Sequence, residues 1–370
     1  MNVNAVPGFL LAAASRPASP AATLDRLLTE DGGRGPVLAL APMQDVTDLA
    51  FWRLISRYGG PDVYFTEYFR VYATSVPDRG ICESITANPT GRPVIAQMIG
   101  NDIPALVRTA QRLQELPVAG IDLNLGCPAP VVYRKCAGGG LLRELAQVDA
   151  ILGALREAVR VKFSVKTRVG FESPDGFEQV LEVLARHPLD LVTVHGRTVA
   201  EMYRSPVRYD LIAQAARALR CPVLANGNVH SARQALEVHQ RIGGRGLMIG
   251  RGAIRNPWLF EQIRQAARGE TPRLPTGREV RDYVRALYEA TGGPDLSERA
   301  HVQRIKKYLN FLGLGVEPTG RFLEAMRRAT GERELERIVD EHLDHDEPMR
   351  LEPLPVPLGE RDVLAGEHRS

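Results

Sequence analysis

The amino-acid sequence predicts an α/β fold in which a (β/α)8 TIM barrel is followed by a smaller helical domain. Short apolar runs alternate with helical patterns eight times between residues 37 and 249. The runs are apolar almost throughout, as in parallel strands that are covered on both faces. An open, doubly wound sheet is the competing architecture, but its G-x-G-x-x-G fingerprint is absent after the first run.

The eight predicted strands are short and are followed by polar or glycine residues. Helical periodicity separates them, for example over residues 103–116 and 149–159. In chain order the strands are predicted at residues 37–43, 63–66, 94–99, 121–125, 163–169, 191–195, 223–226 and 247–249. This repeated order of strand, loop and helix is that of parallel β/α units.

The segments that flank the barrel follow other patterns. Residues 1–36 are rich in Ala, Pro, Ser and Gly and predict a loosely ordered extension, so the barrel is assigned to residues 37–268. After a stretch with two prolines, helical patterns return and predict a helical domain over residues 277–345. Residues 346–370 predict a C-terminal tail.

The composition excludes several classes of protein. Of the 370 residues 44% are hydrophobic and 25% are charged, which is ordinary for a soluble globular protein. The net charge of +3 does not by itself indicate a nucleic-acid partner. The four cysteines show neither paired nor zinc-ligand spacing, so we expect no disulfide and no metal. No apolar run approaches the ~18 residues of a membrane helix, and we expect a cytoplasmic protein without a membrane partner.

Residues 120–142 contain the candidate reactive group. The fourth predicted strand is followed by Gly126, Cys127 and Pro128, and then by a loop that closes on three glycines. Gly126 allows a ligand to approach the backbone and Pro128 fixes the direction of the chain, so the thiol could be an acid or a nucleophile. The alternative is that Cys127 is a small buried apolar residue, the commoner fate of a free cysteine. Asn124, on the preceding strand, favours the functional interpretation.

Polar side chains follow most of the other predicted strands. Each one alone could be a charge on the rim or a hydrogen-bonded core residue. The loops after the seventh and eighth strands combine glycines with one guanidinium, a pattern typical of the phosphate site of a barrel: Asn226-Gly227-Asn228 and Gly250-Arg251-Gly252. A cofactor with a phosphate tail fits this pattern. If it is a flavin, Gln97 and Lys166 could bond its polar edge and Met43 could lie beside its ring.

Taken together, eight segments resemble the tRNA-dihydrouridine synthases, flavin enzymes that reduce a uridine in tRNA. The resemblance runs from residue 37 to about residue 343. Its carriers are APMQDVTD, TEYFRV, QMIG, DLNLGCPAP followed by GGGLL, VKTRVG, VHGRT, NGNV and MIGRGA. TEYFRV, ICESI, YRSPVRYD and RIKKYL are most similar to the bacterial C-type branch, which modifies position 16. Asn228, where relatives often have an acidic residue, and Cys136, where a small or polar residue is usual, depart from the pattern.

The resemblance implies a cofactor, a reductant and a proton donor. FMN would bind at the strand ends, with NADPH or NADH as its reductant, and would pass a hydride to C6 of uracil while Cys127 gives a proton to C5. The implied cofactor residues are Pro42, Met43, Gln44, Gln97, Lys166, His195, Asn226, Gly227, Asn228, Gly250 and Arg251. The implied substrate contacts in the barrel are Asn124, Arg168 and Arg197.

The helical domain contains a segregated charge pattern. Residues 296–330 have seven Lys or Arg against three acidic residues, whereas residues 332–347 have two against eight. A solvated helix surface is the alternative explanation. The segregation and the resemblance favour binding of tRNA phosphates by the basic residues Arg299, Arg304, Lys306 and Lys307. Val302, Ile305, Leu309 and Leu312 form a predicted apolar stripe.

Two other functions remain open at the level of the sequence. A small-molecule reductase of the dihydroorotate or dihydropyrimidine type could use the same FMN barrel, but it would not need a basic helical domain. A non-catalytic tRNA-binding module could have kept the barrel, but it predicts a damaged cofactor site. We expect a monomer whose partner is tRNA and not DNA.

Overall fold

Eight parallel strands close into a barrel surrounded by helices. The computed structural model describes residues 19–30, 35–294 and 296–353, and within them the strands are β1 (Val37–Leu40), β2 (Val63–Phe65), β3 (Phe69–Arg70), β4 (Val94–Ile99), β5 (Gly120–Leu125), β6 (Lys162–Arg168), β7 (Leu191–His195), β8 (Val223–Asn226) and β9 (Gly246–Ile249). The strands pair in the order β2-β1-β9-β8-β7-β6-β5-β4, and β2 also pairs with β4. This last pairing closes the sheet, so the predicted barrel is confirmed.

Two strands differ from the prediction. β1 ends at Leu40 instead of residue 43, because the backbone N–H of Ala41 makes a last bond to Ile249 and Pro42 has no N–H to continue the ladder. β3 was not predicted. It is only two residues long and lies outside the closed barrel, where Phe69 pairs with Met98 of β4.

Most helices follow a strand and form the outer layer of the barrel, while one helix precedes the first strand and the last four lie beyond the barrel. They are α1 (Pro20–Thr29), α2 (Leu49–Ser56), α3 (Arg79–Thr86), α4 (Ile103–Leu113), α5 (Pro130–Tyr133), α6 (Leu145–Ala158), α7 (Phe177–Ala185), α8 (Tyr209–Ala218), α9 (Ala232–Ile242), α10 (Arg251–Arg255), α11 (Leu259–Ala267), α12 (Gly277–Thr291), α13 (Glu298–Leu312), α14 (Arg321–Arg328) and α15 (Glu332–Leu343), with 3-10 turns at Gly138–Arg143 and Gly313–Gly315. Asp48, Asp78 and Asp102 each accept a backbone N–H bond at the start of a helix that follows a strand, which fixes where α2, α3 and α4 begin.

The N-terminal extension is partly ordered, contrary to the prediction for residues 1–36. Ser19 caps α1 by accepting the N–H of Ala22, and Leu24 and Leu28 of this helix are buried in the same cluster as the interior residues of the barrel. Asp25 forms a salt bridge with Lys162, at the start of β6. α1 therefore covers the amino-terminal end of the barrel. Residues 1–18 and 31–34 lie outside the described residues.

The helical domain consists of α12 to α15 and contacts the barrel through α2 and α10. The predicted apolar stripe is buried, with Val302, Ile305 and Leu309 fully inaccessible. The prediction of a C-terminal tail over residues 346–370 is wrong for the first residues of that range. Met349 and Leu351 are buried, and Pro348 forms an antiparallel bridge with Thr276. The tail beyond residue 353 lies outside the described residues.

Candidate active site

The loop after β5 holds Cys127 in a fixed turn. The Oδ1 atom of Asn124 accepts bonds from the backbone N–H groups of Gly126 and Cys127, both at 2.9 Å. From the other side, the N–H of Gly139 bonds to the carbonyl of Cys127 at 3.1 Å. Burial raises the pKa of the Cys127 thiol above its usual value, so the thiol keeps its proton at neutral pH. A protonated thiol in a fixed position is suited to act as an acid.

A buried hydrogen-bond network links this turn to the neighbouring strands. Asn124 donates to the Oε1 atom of Gln97 at 2.8 Å, and the Nε2 atom of Gln97 donates to Asp122 at 2.7 Å. Ser164 donates to the other oxygen of Asp122 at 2.6 Å. Burial raises the pKa of Asp122 to about 6. Asp122 alternates with Asn124 on one side of the predicted strand, a placement that favours a functional loop, and the structure shows that it fixes the orientation of the Gln97 amide.

Four basic side chains surround His195 at the carboxyl-terminal mouth of the barrel, by which we mean the loops that follow the strands. Burial lowers the pKa of His195 well below its usual value, and Arg168, Lys166, Arg197 and Arg251 lower it further. None of the four basic groups forms a salt bridge within the described part of the chain. Asp122 lies near Lys166 and Glu201 near Arg197, but neither carboxylate is in a salt bridge with these groups. A neutral imidazole among basic groups that form no salt bridge marks a site for an anion.

The loops after β8 and β9 bring two of the basic groups together, and their glycines allow close packing. Arg197 and Arg251 both donate to the Oδ1 atom of Asn228, at 3.3 and 3.2 Å. Asn228 carries no charge, so it orients both guanidinium groups without neutralising them. Gly227 has a φ of 137°, and a Cβ there would lie 2.8 Å from Val207. A Cβ on Gly250 would lie 3.3 Å from the sulfur of Met43. A larger residue at Gly227 would clash with Val207, and one at Gly250 would crowd Met43, so glycine is required for the backbone to pass this close.

The structure places Asn226, Arg197 and Arg168 in specific contacts. Asn226 donates to the carbonyl of Met248 at 2.8 Å, which joins β8 to β9. Arg197, which was expected to contact substrate, lies among the basic side chains around His195. Arg168 is 2% exposed and donates to the carbonyls of Gly126, Thr198 and Met202. Arg168 therefore ties the Cys127 loop to the loop after β7.

Tyr203, which the sequence analysis did not single out, covers the basic cluster. Its ring is 43% exposed and lies 4.6 Å from the guanidinium of Arg251 and 5.3 Å from that of Arg168. The YRSPVRYD segment pointed to this loop but not to the role of the ring, because stacking on two arginines depends on the arrangement of three separate loops.

The loop after β1 holds Pro42, Met43 and Gln44 beside Glu67. The Nε2 atom of Gln44 donates to Glu67 at 3.4 Å, while the Oε1 atom of Gln44 is buried without a partner. Burial and the nearby Asp48 and Asp45 raise the pKa of Glu67 to about 7. Glu67 stands in the TEYFRV motif, but the sequence alone did not give it a role. The unpaired oxygen of Gln44 indicates that a ligand donor belongs here.

α13 contacts this same loop. Tyr308 donates to the carbonyl of Val46 at 2.9 Å, and Val46 donates through its N–H to Glu67 at 3.2 Å. Arg304 bonds to Asp48 at 2.9 Å and Lys307 lies 3.9 Å from Asp45. Both ion pairs and Glu67 line a cleft of about 860 Å³ between the barrel and the helical domain.

The prediction that Lys306 lies on an exposed basic face is wrong. Lys306 is 8% exposed and donates to the carbonyls of Arg327 and Ala329, at the end of α14. Arg299, in contrast, is exposed. Arg304 and Lys307 are partly exposed while they bond to the barrel. The basic face of α13 is therefore smaller than predicted and consists of Arg299, Arg304 and Lys307.

Features of two other classes of site are absent from the described residues. None of the described helices is both long enough and apolar enough to span a membrane. Among the same residues, no group of three His, Cys, Asp or Glu side chains is placed to hold a metal ion.

Comparison with known proteins gives one family. The family model for dihydrouridine synthases matches residues 39–345. A probable tRNA-dihydrouridine synthase of Helicobacter pylori is 30% identical over 329 residues, which cover 88% of this chain and 98% of the relative. A tRNA-dihydrouridine(16) synthase of Neisseria meningitidis is 29% identical over 312 residues, which cover 82% of this chain and 93% of the relative. Both relatives are similar to this chain along nearly all of their own length.

Proposed function

This chain belongs to the dihydrouridine synthase family, and we propose that it reduces one uridine of tRNA to 5,6-dihydrouridine with FMN bound at the mouth of its barrel. The observation that carries the proposal is the cluster of Lys166, Arg168, Arg197 and Arg251 around a neutral His195, next to the Cys127 loop. An anion site and a protonated thiol at one mouth are what a phosphate-bearing cofactor and a reduction of uracil require.

The residues at the mouth fit FMN. Arg251, Arg197 and the loops at Gly227 and Gly250 would hold its phosphate, since two guanidinium groups are oriented there without an acidic partner. Gln97 and Lys166 would bond the polar edge of the ring, and Pro42, Met43 and Gln44 would line it. The unpaired oxygen of Gln44 supports this placement. The intact site also argues against a non-catalytic module.

Reduced FMN, when bound, supplies a hydride to C6 of the uracil. Negative charge then develops on the base, and the Cys127 thiol gives its proton to C5, so that the C5–C6 double bond becomes a single bond carrying two new hydrogens. The thiolate left behind is stabilised by Arg168, Lys166 and Arg70, which favour the charged form of Cys127. Solvent then restores the proton.

Lys166 and Asn124 prepare the site for this step. Burial and the charge of Arg168 lower the pKa of Lys166 to about 8, so the ammonium can donate a hydrogen bond and yet is not fixed by a salt bridge. Asn124 holds the turn that contains the thiol and bonds to Gln97. The proton donor and the cofactor residues are thus parts of one network, which fixes their distance.

The helical domain would set which uridine reaches the flavin. The mouth can accept an extruded base, but all uridines are alike there, so selection requires contacts with the folded RNA. Arg304 and Lys307 line the cleft, where each also pairs with a carboxylate of the barrel, and Arg299 is exposed on the same helix. The similarity to the Neisseria relative supports position 16 as the target. NADPH as the reductant, a monomeric state and a cytoplasmic location remain predictions.

One experiment tests the proposed function. The purified protein is denatured to identify the released flavin, and the native protein is incubated with NADPH and unmodified tRNA, in which dihydrouridine is then mapped. We expect FMN and one modified site at position 16. Stoichiometric FAD would contradict the phosphate site, another modified position would contradict the assignment to position 16, and the absence of dihydrouridine would refute the function.

A further inference from the structure

The large apolar side chains that remain exposed in the described residues are concentrated at one place. Tyr72, Val76, Val131 and Tyr203 are 59%, 70%, 61% and 43% exposed; Val131 lies in the short helix α5 and the other three lie in loops, all in segments that follow strands at the mouth of the barrel. The Tyr203 ring lies over Arg251 and Arg168 of the basic cluster. The other three side chains, which we call the Tyr72 rim, have no role in cofactor binding or proton transfer.

The turn that carries Tyr72 is rigid. The hydroxyl of Ser75 bonds to the carbonyl of Tyr72 at 2.9 Å and accepts its N–H at 3.0 Å, and Ser75 is buried. Arg108 of α4 holds the carbonyl of Ala73 at 2.6 Å. The aromatic ring is therefore exposed on a fixed backbone, which lowers the entropy that binding would cost.

Val131 belongs to the same side of the mouth. The N–H of Val71 bonds to Ile99 at the end of β4, and a Cβ on Gly138 would touch both Ile99 and Val132. Asn101, two residues further on, bonds to the carbonyl of Lys135 at 3.0 Å. The end of β4 thus lies between the Tyr72 turn and the Cys127 loop. The turn exposes Tyr72 to solvent, and the loop exposes Val131.

The charged side chains within these two segments are all basic, while Glu67 and Asp78 directly flank the first segment. Residues 68–77 contain Arg70, and residues 127–137 contain Arg134 and Lys135, while neither segment has an acidic residue. These three cations are exposed. An aromatic ring among cations, beside a site for an extruded base, has the chemistry of a single-stranded RNA surface.

We propose that Tyr72 is a stacking platform for an unpaired nucleobase next to the uridine that is reduced, with Val76 and Val131 supporting that base. This inference rests on the proposed function and names a contact that the helical domain does not provide. A protein partner would need a larger apolar area than three side chains supply, whereas a single base needs little more than one ring.

The test compares Tyr72→Ala with Tyr72→Phe in the full chain with its flavin. The dissociation constant for unmodified tRNA is measured at several salt concentrations. We expect Tyr72→Ala to bind about 5- to 150-fold more weakly, as for the loss of one stacked base, with an unchanged salt slope because no charge is removed. Tyr72→Phe keeps the ring and should bind like the wild type. Flavin content and thermal unfolding should be unchanged in both variants.

The possible failures are distinguishable. If the wild type forms dihydrouridine but Tyr72→Ala binds tRNA with wild-type affinity, the stacking platform is refuted and the proposed function stands. If Tyr72→Ala changes only the oligomeric state, the rim is an interface between copies of the chain and the inference is refuted. If the wild type binds no tRNA, the proposed function and the inference fail together.

Discussion

Replacing Arg251 with alanine should leave the empty protein as stable as the wild type or more stable, and should reduce the stabilisation that FMN gives. Arg251 and Arg197 converge on the neutral Oδ1 atom of Asn228. Burial, followed by the charges of Arg251 and Arg168, lowers the pKa of Arg197 to about 10. The basic groups therefore repel one another until an anion binds, and Arg251→Ala should relieve that repulsion in the empty protein.

The two effects are of similar size. Both guanidinium groups reach one oxygen atom, and at a separation of about 6.5 Å and an effective dielectric constant of about 20 their repulsion is about 2–3 kcal/mol. Loss of a charge-assisted bond to the phosphate costs about 1.5–3 kcal/mol, so FMN should bind about 10- to 150-fold more weakly.

The assay is thermal unfolding of Arg251→Ala, wild type and Arg251→Lys, each as apoprotein and with saturating FMN, together with titration of FMN. The alanine variant should unfold at the same or a higher temperature than the wild type when empty and should gain less from FMN. The lysine variant, which keeps the charge, should lie between them. If Arg251→Ala destabilises the apoprotein and leaves FMN affinity unchanged, the phosphate site has been misplaced.

Three further predictions concern other parts of the molecule. Burial and two nearby aspartates raise the pKa of Glu67 from 4.5 to about 7, so this group stabilises the fold most below about pH 4.5 and its contribution is lost as the pH rises through about 7. Glu67→Gln should therefore gain stability over the wild type at about pH 8 but not at about pH 4, as measured by thermal unfolding. An equal difference at both pH values would refute the titration. Arg299→Ala should lower the log–log salt slope of tRNA binding by about one unit, whereas Lys306→Met should lower stability by about 1–3 kcal/mol without changing the slope, because its bonds are to buried carbonyls; a change of slope in Lys306→Met alone would reverse that assignment. Leu24→Ala should cost about 2–5 kcal/mol in denaturant unfolding because Leu24 is buried in the barrel interior, and a cost near zero would show that α1 is not anchored.

The sequence could predict the features that repeat or that lie close together along the chain. Strand runs such as residues 94–99 were predicted to the residue, because a strand buried on both faces is apolar along its length. The error at Lys306 was avoidable. Lys306 lies four residues after Val302 and three before Leu309, so helical spacing places its side chain on the buried face of the helix. Ser19 and Pro20 were likewise start signals for α1, within a stretch of low-complexity composition.

Other features depend on contacts between distant parts of the chain. Tyr308 and Val46 are 262 residues apart, and no local pattern predicts their hydrogen bond. The hydrogen bonds from Arg197 and Arg251 to the same oxygen of Asn228 likewise form only because three loops meet. The raised pKa of Glu67 depends on burial by α13 and on two carboxylates of another loop, so the motif gave its position but not its chemistry.

The role of Cys127 as proton donor is tested most directly by one turnover of enzyme whose FMN has been reduced beforehand. Unmodified tRNA is added to wild type, Cys127→Ala and Cys136→Ala, and the rate of dihydrouridine formation is measured beside the rate of flavin reduction by NADPH. Loss of the acid should slow dihydrouridine formation by ~10²-fold in Cys127→Ala without affecting flavin content or reduction. Cys136→Ala should behave like the wild type, because Cys136 is exposed at the far end of the loop. Wild-type turnover in Cys127→Ala, or a loss confined to Cys136→Ala, would contradict the assignment of Cys127 as the acid.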